Sequence, residues 1–208
     1  MPVFQAATLL QNLRNDVNGL LHAAREKIAG QPRAILLQQP APGSWSAAQC
    51  LDHLNGYGRF YLPALEQAIN KAEKNNWTAL PQFRSGWLGN YFANLMQPKP
   101  DGALRSKMST PKGHRPTPQL DPGAVLAEFI SQQEKMLSLL QRAAKINITR
   151  LRVPTSLSSL LKLNAGDTFR FLIAHQQRHM LQALRAVNSA TGSTQTAVTM
   201  QYLEDQFR

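Results

Sequence analysis

Cys50 is the only thiol in 208 residues, which excludes an internal disulfide and any cysteine-rich metal site. A single thiol also fits a reducing compartment. Long apolar runs are missing too: none approaches the roughly 18 residues that a membrane span needs. The opening stretch MPVFQAATLLQNLRNDV lacks the basic flank, apolar block and small-residue cleavage site of a secretory signal. The cytoplasm is therefore the expected location. No alternating apolar–polar run of strand type stands out, and no internal repeat does. Acidic residues are scarce, 12 against 23 Lys and Arg, for a formal net charge of +11. Between Lys135 and Arg185 nine basic residues face one acid, Asp167. Such a field favours anionic partners, whether a nucleic acid, a membrane surface or a small acidic substrate; a merely solvated basic surface explains it equally well.

What remains is the make-up of a soluble globular chain, 43% hydrophobic and 17% charged. Its length suits one domain over residues 1–208 with one sizeable core. Residues 4–29 repeat apolar side chains at Leu10, Leu13, Val17, Leu20, Leu21, Ala24 and Ile28, the spacing of a helix with one buried stripe. Gly30 and Pro32 end it. Ser46-Ala-Ala-Gln49 has the capping-box form. The stripe Cys50, Leu51, Leu54, Tyr57, Tyr61 and Leu65 then predicts a second helix to about Lys74, kinked at Pro63.

Residues 75–122 are the least regular. A short helix is expected around Trp87–Met96, followed by a long loop, Pro98–Pro122, with six prolines. The third long helix is expected over 123–144, with Leu126, Phe129, Ile130, Gln133, Met136, Leu137 and Leu140 on one face. After a connector containing Pro154, the fourth runs over 165–188, capped by Asn164 or Asp167. Residues 189–208 read as an appended tail with a short helix at Val198–Phe207. The expected architecture is all-α: a four-helix bundle with a long proline-rich loop crossing between the second and third long helices.

One constellation carries chemistry. His175 and His179 lie four apart in HQQRH, so both rings project from one helix face and can reach the same ion about 2.0–2.1 Å away. Two ordinary boundary histidines would show the same spacing. His53, in the middle of the second helix, adds a third ligand if helices two and four are neighbours. Taken alone it reads as a satisfied core residue. Gln182 and Tyr57 stand one turn beyond His179 and His53, where they either line the site or simply pack. Asp52 points about a third of a turn away from His53, and no carboxylate recurs at helical spacing beside His175 or His179.

Other residues read as bland. Cys50 is a small core hydrophobe. His22, His114 and Arg178 read as solvated. Trp45 reads as a core plug at the start of the second helix.

The same residues carry a resemblance. Trp45-Ser-Ala-Ala-Gln-Cys-Leu-Asp-His53-Leu54 and Leu172-Ile-Ala-His175-Gln-Gln-Arg-His179-Met-Leu-Gln182 resemble the two signatures of the DinB/YfiT-like superfamily, in particular its DinB-like branch. The resemblance implies a four-helix bundle, often a homodimer, in which three histidines bind nickel, zinc or a similar divalent metal ion near one end. His53, His175 and His179 stand at those positions. Family members include transferases and isomerases that use low-molecular-weight thiols, and proteins described as metal-dependent hydrolases. A glutamate is common where this chain has Gln49, a position that glutamine caps equally well.

The expected function is thus a metal-dependent enzyme acting on a small, anionic substrate by hydrolysis or thiol transfer. The alternative is a non-catalytic metal-binding or stress-related bundle protein. Neither a membrane nor a nucleic acid is an expected partner. The basic residues are not interleaved with aromatics as stacking sites would be.

Overall fold

In a computed structural model that describes residues 1–103, 105, 110, 115–117, 119–193 and 198–204, the chain is mostly helical with short strands. Strand β1 (Val3–Gln5) leads into α1 (Ala6–Ala23), which continues through a π-helical turn over Ala24–Ile28. Every apolar residue of the expected stripe in this segment is buried, from Leu10 to Ile28. A five-residue helix α2 (Arg33–Leu37) lies in the linker. Helix α3 (Ala47–Lys74) starts at the expected capping box: Gln49 N donates to Ser46 Oγ at 3.3 Å and Ser46 N to Gln49 Oε1 at 3.0 Å. It runs on through Pro63. Strand β2 (Gln82–Arg84) and helix α4 (Trp87–Met96) follow, and then α5 (Pro122–Ala143), capped by the Asp121 side chain. Strands β3 (Arg152–Thr155) and β4 (Ser158–Asn164) precede α6 (Ala165–Thr191). Of the two candidate caps of α6, Asn164 does the capping: its Oδ1 accepts from Asp167 N at 2.7 Å. Gly192, at φ 65°, closes the helix in the left-handed conformation.

Among the four long helices, α3 contacts α5 and α6, and α1 contacts the same two. The core divides into two apolar clusters. One gathers Leu13, Tyr61, Met136 and Phe169, the other Leu20, Leu51, Phe129 and Met180. Between them lies a level of buried polar residues, with Asn55 on α3, Gln133 on α5 and His175 and Gln176 on α6. The histidines sit at this level, where the apolar packing of α3 and α6 is interrupted. Among the described residues, no helix is long and apolar enough to cross a membrane.

One expectation needs correction. The sequence shows no strand run, yet β1 pairs antiparallel with β2, and the connector around Pro154 is an antiparallel hairpin of β3 and β4. Both sheets have two strands, and β1 and β2 have three residues each, too few for a period of two to register. In β4 the run Ser-Ser-Leu-Leu-Lys-Leu hides the alternation. Pro154 lies opposite Lys162, next to an irregularity in the register, as a proline in an edge strand must. In the tail, helix α7 covers Met200–Glu204, and Val198, Met200 and Leu203 are buried in the second apolar cluster. Phe207 lies outside the described residues.

A buried polar network ties β2 and α4 to the start of α6. Asp167, 1% exposed, accepts from Ser85 Oγ at 2.5 Å, Gly86 N at 2.7 Å and Arg170 Nη1 at 2.9 Å. Gly166 beside it leaves room for Phe83. A Cβ there would lie 2.4 Å from the Phe83 ring, far inside contact distance.

Candidate metal centre

Pairing α3 with α6 brings His53, His175 and His179 together. Their ligating nitrogens all lie within 4.8 Å of one another, and the group contains no carboxylate or thiol. His53 Nε2 and His175 Nε2 are 3.2 Å apart. Two nitrogens bound tetrahedrally to one ion at 2.0–2.1 Å would be about 3.3 Å apart, so the separation fits a shared ion. His53 and His175 are 5% and 4% exposed, while His179 is half-buried. The donor set is all imidazole, suited to zinc, nickel or copper rather than to magnesium or calcium. Among the described residues this cluster could hold a metal ion.

The surroundings keep the His179 imidazole neutral and oriented. Gln182 Oε1 lies 3.0 Å from His179 Nδ1 and accepts its proton, which leaves Nε2 with its lone pair for the ion. Burial, with smaller help from His53 and Arg178, pushes the His179 pKa down to about 3 against the hydrogen bond to Gln182. His179 is therefore unprotonated throughout the physiological range, as a metal ligand must be. The Trp45 ring stands 4.9 Å from His53 and 5.6 Å from His179. Tyr57 stands 5.1 Å from His53 and 4.4 Å from His175, and Phe171 lies parallel to His175 at 6.0 Å. This aromatic wall limits water around the cluster. Burial raises the Tyr57 phenol to about 12, so it stays protonated.

Several residues turn out differently from their sequence reading. Tyr57 and Gln182 both belong to the cluster's surroundings. Trp45 is half-buried and walls the histidines, more than a plug. Arg178, read as solvated, is 7% exposed, and burial lowers its pKa. Its burial depends on tertiary packing, which is not visible in local periodicity. Asp52 is held away from the histidines: its Oδ2 accepts from Thr117 N at 2.9 Å and Thr117 Oγ1 at 3.0 Å, with Arg59 3.9 Å from the other oxygen. Cys50 is fully buried, which raises its thiol pKa, as befits a core residue. His22 is half-buried on α1, apart from the cluster, and His114 lies outside the described residues.

A family model described as the DinB superfamily matches residues 9–183. No curated protein and no solved structure matches the chain.

Proposed function

The chain belongs to the DinB superfamily, and from that premise we propose that it holds one divalent ion, nickel or zinc, through His53, His175 and His179, and that it is a metal-dependent enzyme acting on a small substrate. The carrying observation is the convergence of three histidine ring nitrogens, from two helices far apart in sequence, within 4.8 Å. The same reading takes α1, α3, α5 and α6 as the family's four-helix bundle.

A divalent ion held by three neutral imidazoles keeps its full charge and supplies a Lewis acid that lowers the pKa of water or of a thiol. The chain's own residues do the rest. His53, His175 and His179 give lone pairs without charge, Gln182 fixes the His179 tautomer, and Trp45, Tyr57 and Phe171 shield the cluster from bulk water. Of the two reactions open to such a site, thiol transfer fits better than hydrolysis. Hydrolysis calls for a proton acceptor beside the attacking water. The carboxylate next to the ligands in sequence, Asp52, is engaged by Thr117. A thiol, with a free pKa of about 8.5, loses its proton to solvent more readily than water on the same ion and leans less on such a residue. The shortage of a general base among the described residues also favours the second reading, a metal-binding protein without catalysis of its own.

Cobalt-loaded protein separates these readings. Adding a low-molecular-weight thiol is expected to produce sulfur-to-metal charge-transfer absorption in the near ultraviolet. Bands indifferent to thiol would remove thiol transfer. Gln182 offers a narrower check. Gln182→Leu is expected to weaken metal affinity about 10–100-fold, measured by competition with a chromophoric chelator, because the tautomer-fixing acceptor is gone. Unchanged affinity would take Gln182 out of the site.

A further inference from the structure

The β3–β4 hairpin exposes apolar side chains that no packing requires. Leu160 is 93% exposed and Leu157 59%. Leu163 turns into the core at 5% exposure, so by strand alternation Leu160 and exposed Lys162 share the outward face. Arg150 and Arg152, at the base of the hairpin, are exposed as well. No acidic residue occurs between Lys135 and Gly166. The hairpin is thus an apolar tip on a purely cationic stem. It is also held in place: Ser156 N donates to Tyr61 Oη at 3.0 Å, and Phe60, 40% exposed, packs on Tyr61 at 4.9 Å.

We propose that this hairpin docks the protein on an anionic lipid surface, with Leu157 and Leu160 entering the interface while Arg150, Arg152 and Lys162 meet the headgroup phosphates. Each half of the feature needs the other. Cations near an anionic leaflet are attracted individually but weakly, and aliphatic side chains add the buried area that makes attachment measurable. A nucleic acid would use the cations and gain nothing from the leucines, and the hairpin offers no aromatic ring for stacking. The missing apolar span, on which the expectation of no membrane partner rests, has no bearing on surface attachment. Three of the nine cations between Lys135 and Arg185, namely Arg150, Arg152 and Lys162, find a role here. The proposal is independent of the metal reading.

The test is co-sedimentation of the full chain with vesicles of phosphatidylcholine alone and with about 30% phosphatidylglycerol added. Binding is expected to the anionic vesicles only and to fall with salt. Leu160→Ser is expected to lower partitioning about tenfold, as the loss of one buried leucine implies, and Lys162→Glu to lower it as well. Leu160 is almost wholly in solvent, so its replacement does not threaten the fold, and an unchanged far-UV signal controls for that. No binding to anionic vesicles, or equal binding by Leu160→Ser, would overturn the proposal. Binding to duplex DNA that Lys162→Glu abolishes and Leu160→Ser leaves intact, without vesicle binding, would assign the surface to nucleic acid instead.

Discussion

Replacing Asp167 by alanine is expected to cost about 3–5 kcal/mol of stability, the range for removing one partner of a buried ion pair. Asp167 is the one acid among the cations of its region, and at 1% exposure it has no water to fall back on. Its loss leaves the Arg170 guanidinium, whose side chain is 12% exposed, without a counter-charge. It also leaves Gly86 N without its acceptor and Ser85 Oγ with only the Gly86 carbonyl, at 3.3 Å. Arg170 would keep its bonds to Ser85 and to Asn90, and its place 4.6 Å over the Phe4 ring, so the network weakens without dissolving. Domains of this size hold only about 5–15 kcal/mol in total. The urea midpoint should therefore fall by about a fifth or more with an unchanged slope. A loss under about 1 kcal/mol would mean that Asp167 is an ordinary surface-type carboxylate and the network is not a clamp.

The second large effect concerns ligand-linked stability. An ion bound only by the folded chain adds about 2.7 kcal/mol at a hundred times its dissociation constant. Zinc or nickel is expected to raise the melting temperature of the wild-type chain by several degrees. In His175→Ala the same addition should raise it little, because His175 is one of the three ligands and shares the 3.2 Å contact with His53. The variant removes a ring that Tyr57 and Phe171 pack against, so its metal-free stability will also be lower. The informative quantity is therefore the metal-induced shift and not the melting point itself. Equal shifts in both proteins would place binding elsewhere.

The long helices were legible because each carries one apolar stripe over five or more turns, and both ends of α3 and α6 carry capping or breaking residues. Ser46 and Gln49 state the start of α3 in four letters. The histidine cluster was legible for a related reason: His175 and His179 share a face by spacing alone. The meeting with His53, however, depends on α3 and α6 being neighbours, which periodicity does not specify. What stayed hidden depends on tertiary contact. The burial of Arg178, the turning of Asp52 toward Thr117 and the approach of Tyr57 to His175 all follow from how distant segments meet. Strands β1 and β2 were hidden by their length, three residues each. The β3–β4 hairpin was hidden by a leucine–serine run whose exposed members, Leu157 and Leu160, look like core residues in the sequence.

The central claim is that three histidines hold one metal ion, and elemental analysis of purified, untagged protein beside His53→Ala tests it most directly. The account predicts about one equivalent of nickel, zinc or a similar ion in the wild-type chain and its loss in the variant, with the helical far-UV signal retained. No metal in either protein after incubation with added ions, or equal loading of both, would contradict it.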